Sequence, residues 1–143
     1  MKEHQKLYRL VTAALFAAAI AVMTAYMLHI PIPTGGYIHI GDALIYLAAC
    51  LLPLPYAVGA AAVGAGLADL LTAPMWVVPT LIIKAIVVLP FTSRRTRILC
   101  PRNIAAIFIS GLISPVGYGL AACVLLGGPS AFLPQFLGTL IQA

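Results

Sequence analysis

Charged residues are scarce in this sequence, and acidic residues are the scarcest. Only 8% of the 143 residues are charged, with eight Lys or Arg and three Asp or Glu. Soluble domains are about one quarter charged, because a folded chain needs a polar surface towards water. Apolar residues make up 63% of the chain, and the mean hydropathy is +1.10. These values exclude a soluble globule, and they indicate that lipid is the solvent for most of the surface.

Motifs for nucleotide hydrolysis and for common hydrolytic chemistry are also missing. The sequence contains no GxxxxGK[ST] phosphate loop, so the chain cannot hydrolyse ATP by that route. It contains no HExxH or GxSxG motif. Cys50, Cys100 and Cys123 show neither CxxC nor metal-ligand spacing. We therefore expect no enzyme activity, no cofactor and no metal site.

The basic residues fall in two clusters that predict the membrane topology. Lys84 is the one basic residue that lies elsewhere. The first cluster precedes the first apolar run and the second occupies a hydrophilic loop: Lys2, Lys6 and Arg9, then Arg94, Arg95, Arg97 and Arg102. Short loops rich in Lys and Arg face the cytoplasm. Both clusters face the cytoplasm if four spans separate them, and two further spans then follow the second cluster. Clustering of this kind is a topology signal, and we expect no nucleic-acid binding.

Apolar runs separated by Pro and Gly breaks predict an all-α membrane protein with a bundle of six transmembrane helices. We expect one transmembrane domain over residues 1–143, with helices at 7–28, 42–52, 56–71, 79–89, 104–126 and 131–143. A span takes about 20 apolar residues. The second to fourth helices are short for this length, and only 13 residues follow Ser130. We therefore expect the sixth helix to be truncated.

Small residues form long stripes on two of the predicted helices. On the first helix, the stripe repeats every four residues and has a second row beside it: Ala13, Ala17, Ala21 and Ala25, with Ala14 and Ala18. The third helix carries similar stripes. Such a face lets another helix approach closely. For the third helix we favour packing inside the protein, whereas the first helix suits either internal packing or docking of a separate membrane subunit.

Asp69 and Lys84 are the charges that lie well inside predicted spans. A charge at that depth costs at least about 2.5 kcal/mol unless it is paired or hydrated. Their depths match, so we predict an intramembrane ion pair between them. This pair has either a structural role alone or a role in which Lys84 contacts a ligand. We expect Asp42 to cap the second helix.

Further polar and aromatic residues lie towards the outer side of the predicted topology. They are Tyr37, His39 and Trp76 in loops, Tyr118 in the fifth helix and Gln135 in the sixth. Aromatic residues at this level are typical of a membrane-interface belt. The same set also suits a lid over a polar cavity.

Three segments together resemble a known family. They are IHIGDA at 38–43, GLADLL at 66–71 and PTLIIK at 79–84. Their spacing is similar to that in the substrate-binding S component of energy-coupling factor (ECF) vitamin transporters. The resemblance implies a six-helix fold and high-affinity uptake of a small water-soluble vitamin or precursor across a bacterial plasma membrane.

The resemblance also implies partners and site residues. The partners are a transmembrane T component and two cytosolic ATPase subunits. The T component would dock on Ala13, Ala14, Ala17, Ala18 and Ala21. The substrate would lie near the outer face, which implicates Tyr37, His39, Trp76, Lys84, Tyr118 and Gln135.

Two other functions remain open from the residues themselves. One is a stand-alone transporter or channel for small solutes, which needs no partner. The other is a membrane assembly subunit that binds no ligand. The long alanine face and the absent phosphate loop favour a substrate-binding subunit driven by external ATPases.

Overall fold

Six α-helices account for most of the chain in a computed structural model that describes residues 2–27, 30–31, 37–38, 40–93 and 98–141. They are α1 (Lys2–Tyr26), α2 (Gly41–Leu51), α3 (Leu54–Thr72), α4 (Val77–Val87), α5 (Pro101–Leu125) and α6 (Phe132–Leu140). Two-residue strands β1 (Ile30–Pro31) and β2 (Tyr37–Ile38) pair antiparallel. The predicted all-α membrane class is confirmed. The N-terminal end of α1 lies five residues before the predicted start.

Proline and glycine set the helix boundaries. Pro101 opens α5, and Pro74 and Pro129 open short 3-10 helices before α4 and α6. Proline is favoured there because the first N–H groups of a helix have no partner inside it. At the other end of α5, Gly127 has φ +74°, and the Gly128 N–H donates to the Cys123 carbonyl at 3.1 Å. This is a Schellman motif, in which glycine adopts the left-handed conformation without steric cost.

Only some of these helices are long enough to cross a bilayer by themselves. Within the described residues, three satisfy the criteria of length and composition: Glu3–Tyr26, Leu54–Thr72 and Pro101–Leu125. The apolar helices at Gly41–Leu51 and Pro74–Val87 are shorter. At 1.5 Å per residue, the 11 residues of α2 span about 16 Å, roughly half of a hydrocarbon core.

Helix α3 lies at the centre of the bundle and packs against α1, α2 and α4, while α5 packs against α4 and α6. Its inward face is almost entirely small: Ala57, Ala61 and Ala65 are buried. A Cβ added to Gly64 would lie 2.7 Å from the Ala17 carbonyl oxygen and 2.9 Å from the Ile20 Cβ. The small-residue stripe of α3 is therefore internal packing that brings α1 and α3 together.

Asn103 anchors both ends of the basic loop between α4 and α5. Its Oδ1 accepts from the Thr92 N–H at 2.9 Å, and its Nδ2 donates to the Thr92 carbonyl at 3.0 Å and the Ile98 carbonyl at 2.9 Å. Asn103 itself is 1% exposed. One buried amide thus satisfies backbone groups that would otherwise lack partners at the end of α4.

Candidate functional site: a buried polar cluster

The Lys84 side chain lies in the middle of the bundle and is bound by Asp42. Its Nζ donates to the two carboxylate oxygens of Asp42 at 2.6 and 2.7 Å. Both side chains are 1% exposed. A third contact, at 3.5 Å, reaches the Ser114 hydroxyl of α5. Helices α2, α4 and α5 therefore meet at a single ammonium group.

A second polar group lies one turn earlier along α4. The Thr80 hydroxyl donates to Oδ2 of Asp69 on α3, and it lies 2.7 Å from the Tyr118 hydroxyl of α5. Because a hydroxyl carries one proton and Thr80 gives it to a carboxylate, Tyr118 is the donor to Thr80. Thr80 and Lys84 are four residues apart, so they lie on one face of α4. Thr80 binds Asp69 and Lys84 binds Asp42, so this face of α4 brings both acidic residues into one polar cluster.

Aromatic rings cover this cluster on the side of Tyr118. The Lys84 Nζ lies 5.3 Å from the centroid of the Tyr118 ring, within the range of a cation–π contact. The rings of Trp76 and Tyr118 are 5.8 Å apart and tilted by 58°. Trp76 is 2% exposed, yet its indole Nε1–H has no acceptor in the described part of the chain. An unpaired buried donor costs about 1–3 kcal/mol.

The predicted Asp69–Lys84 ion pair is wrong, because Lys84 binds Asp42 instead. The reason is depth along α4. Asp69 is level with Thr80, whose hydroxyl donates a hydrogen bond to the Asp69 carboxylate. Lys84 lies about 6 Å further along α4, because each residue adds about 1.5 Å of helical rise. The predicted N-cap role of Asp42 is also wrong. The N-cap of α2 is Ile40, without a side-chain cap, and the Asp42 carboxylate is engaged by Lys84.

The structure brings together three of the six predicted substrate-binding residues, Trp76, Lys84 and Tyr118. Gln135 is buried on α6, where its Nε2 contacts the Thr139 hydroxyl at 3.4 Å. For Tyr37 the structure describes the backbone alone, in β2. His39 lies outside the described residues.

Sequence reasoning missed Thr80 and Ser114 and misassigned Asp42. A signal for the first two was present in the spacing of polar residues. Ser110, Ser114 and Tyr118 recur every four residues on α5, and all three are buried. Polar residues at that spacing in an apolar helix mark one inward face. Ser110 uses this position to donate to the Val87 carbonyl at 2.6 Å.

The alanine face of α1 is divided between the bundle and its surroundings. Ala13 is buried against α3, and Ala17 and Ala21 are half-buried. Ala14 and Ala18 are exposed. The stripe therefore contributes to internal packing through one row, while the adjacent row with Ala14 and Ala18 is exposed.

The helical bundle and its buried charges define a multi-pass membrane protein with a polar site enclosed between helices. A family model described as ECF-type riboflavin transporter, S component, matches residues 4–143. A protein of Pyrococcus woesei, described as an uncharacterized protein in a gap 3′ region, is 32% identical over 124 residues, covering 85% of this chain and 82% of that protein. No solved structure matches the chain. The chain belongs to the family of ECF-type riboflavin transporter S components.

Family membership confirms the resemblance found in the sequence. The chain is the substrate-binding subunit of an ECF transporter for vitamin uptake, and it belongs to a transporter family rather than to an enzyme family. Such a subunit works in association with a T component and ATPases.

Proposed function

We propose that this chain binds riboflavin or a close flavin relative with high affinity in the cluster around Lys84, Trp76 and Tyr118. The observation that carries the proposal is the buried Trp76 Nε1–H, which has no acceptor among the described residues. It lies beside Tyr118, which also contacts Lys84. A ligand carbonyl oxygen would satisfy this donor and remove the cost of leaving it unpaired.

The chemistry of a flavin suits this cluster. Its ring system is flat, with apolar faces for the Trp76 and Tyr118 rings and with carbonyl oxygens and nitrogens at one edge. Asp42 neutralises the Lys84 ammonium, so the pair presents donors and acceptors without a net charge. A neutral polar solute therefore fits better than a multiply charged one.

Transport would depend on partner subunits. The exposed row with Ala14 and Ala18 on α1 offers the close approach that a T-component helix requires, and two cytosolic ATPase subunits would supply the energy. Arg9 and Arg102 line one cavity at the same end of the bundle. This proximity supports a topology in which both basic clusters face the cytoplasm of a cell whose plasma membrane holds the protein.

The test is a titration of the purified chain with riboflavin. Trp76 is the single tryptophan, so bound flavin is expected to quench its emission with 1:1 saturation and a Kd below about 1 μM. Thiamine, a cationic vitamin, serves as the matched negative ligand. Absence of saturable quenching by riboflavin at micromolar concentrations would refute the proposed substrate.

A second measurement separates this function from a stand-alone transporter. Vesicles containing the chain alone should bind riboflavin without accumulating it, whereas vesicles that also contain the T component and ATPases should accumulate it when ATP is supplied. Accumulation by the chain alone would favour the stand-alone alternative. Absence of any bound small molecule would favour an assembly subunit.

A further inference from the structure

A cavity lies at the end of the bundle where Arg9 and Arg102 come together. Its volume is about 580 Å³, and its walls come from α1, the end of α2, the α2–α3 turn, the segment after α4 and the start of α5. Arg9 and Arg102 supply guanidinium groups, and Thr92 and Ser93 supply hydroxyl groups. The Nε of Arg102 donates to the Pro90 carbonyl at 3.2 Å, which holds that side chain at the cavity wall.

Among the described residues, no carboxylate lies at the cavity wall to neutralise the two arginines. The whole chain has three acidic residues. Glu3 pairs with Lys6 at 3.0 Å, Asp42 binds Lys84, and Asp69 accepts from Thr80. In the part of the chain that the structure describes, no acidic residue lines this cavity. Both arginines are exposed, so an anion from outside the chain can reach them and would balance two guanidinium groups in one cavity.

The remaining walls of the cavity are apolar and continue into the lipid-facing surface. Leu54 and Leu89 line the cavity and remain 46% and 50% exposed. Arginine and hydroxyl groups beside exposed leucines match a molecule that joins a phosphate to hydrocarbon chains. Arginine also binds phosphate in a bidentate geometry.

We propose that this cavity binds the headgroup phosphate of an anionic phospholipid. The phosphate would contact Arg9 and Arg102, and the acyl chains would run along Leu54 and Leu89. One lipid would thereby connect α1 to the start of α5, two parts of the chain that are distant in sequence. Binding would be selective for anionic lipid because the cavity lacks its own negative charge. Inorganic phosphate shares the headgroup chemistry but lacks the acyl chains.

The experiment measures lipid retention by native mass spectrometry and thermal stability in detergent. Purified protein receives phosphatidylglycerol, phosphatidylcholine or inorganic phosphate. We expect phosphatidylglycerol to be retained and to raise the Tm more than phosphatidylcholine does. We expect Arg9→Gln and Arg102→Gln each to weaken phosphatidylglycerol retention about fivefold. Lys6→Gln is the matched control, because Lys6 is a basic residue of α1 outside this cavity and should leave retention unchanged.

A further variant keeps the test decisive if an arginine variant fails to fold. Ser93→Asp introduces the missing carboxylate into the cavity and should abolish selectivity for phosphatidylglycerol while the protein stays folded. The proposal would be overturned by equal retention of both lipids by the unaltered chain, by equal loss of retention on Lys6→Gln, or by unchanged selectivity in Ser93→Asp. If inorganic phosphate stabilised the protein as much as phosphatidylglycerol does, the cavity would be assigned to a free anion and the lipid proposal would be overturned.

Discussion

Lys84 and Asp42 form a buried ion pair across 42 positions of sequence, with both carboxylate oxygens within 2.7 Å of the ammonium nitrogen. Bringing two charges into a bundle surrounded by lipid costs free energy, so each charge needs the other as its partner. Their contact joins the first turn of α2 to the last turn of α4. The pair therefore links α2 to α4 inside the bundle.

Removal of Lys84 alone should destabilise the protein strongly. Lys84→Met leaves the Asp42 carboxylate buried without its cation, so we expect a loss of about 3–5 kcal/mol in the free energy of unfolding. The measurement is thermal or denaturant unfolding in detergent, followed by Trp76 emission. An unchanged free energy of unfolding would mean that the pair contributes nothing to the fold.

The double variant Lys84→Met with Asp42→Leu separates structure from binding. It removes both charges, so we expect the stability to recover. If Lys84 contacts the ligand, riboflavin affinity should stay reduced in this folded protein. Recovery of near-native affinity would remove Lys84 from the binding site. Thr80 and Asp69 are unaltered in this variant and provide an internal check that the cluster is otherwise intact.

Trp76→Phe should weaken riboflavin binding with little change in the fold. Phenylalanine keeps an aromatic ring beside Tyr118 but lacks the N–H. The smaller ring costs packing, whereas loss of an unpaired buried donor is favourable, so the two effects oppose one another. We expect affinity to fall about tenfold, or about 1.4 kcal/mol, as measured by flavin fluorescence.

Thr24→Val is the matched control for that variant. Thr24 on α1 is the other described residue whose buried side-chain polar atom has no partner, and it is 1% exposed. Valine has the same shape without the hydroxyl, so stability should hold or rise while riboflavin affinity stays unchanged. An equal loss of affinity in both variants would show that Trp76 acts through the fold and not through the ligand.

The sequence predicted the helices well because their signals are local. Proline at the start of a helix and glycine after its end act through the backbone of the residues concerned, as Pro101 and Gly127 show. The small-residue stripe of α3 was likewise readable, because its spacing alone places Gly64 on a packing face. Hydropathy over a window then determines which segments lie in lipid.

The partner of Lys84 was not readable in the same way. Pairing depends on the relative depth of helices that are far apart in sequence, and no local signal reports how deep the first turn of α2 lies beside α4. Because the chain has three acidic residues, the partner of Lys84 had to be one of those three. The i, i+4 spacing of Thr80 and Lys84 on α4 provides two positions at which a carboxylate can bind. Which acid takes which position is a property of the packed bundle.

The two rows of the α1 alanine face should respond differently to added bulk. Ala18→Leu adds a side chain to an exposed position, so we expect loss of copurification with the T component and unchanged riboflavin binding by the isolated chain. Ala13→Leu adds the same bulk where Ala13 is 8% exposed, so the isolated chain itself should be destabilised by about 1–3 kcal/mol. Equal destabilisation by both variants would assign the whole stripe to internal packing.

The topology can be tested with single cysteines on opposite sides of the membrane. The native Cys100 is a poor reporter because it is 7% exposed, so a background with Cys50, Cys100 and Cys123 changed to Ala is preferable. Ser130→Cys lies in the exposed turn before α6, and Arg95→Cys lies in the second basic cluster. If basic loops face the cytoplasm, a membrane-impermeant maleimide should label Ser130→Cys in intact cells and Arg95→Cys only after permeabilisation. Labelling of Arg95→Cys in intact cells would show that the orientation is the reverse of the predicted one, with the Arg9–Arg102 cavity at the outer leaflet.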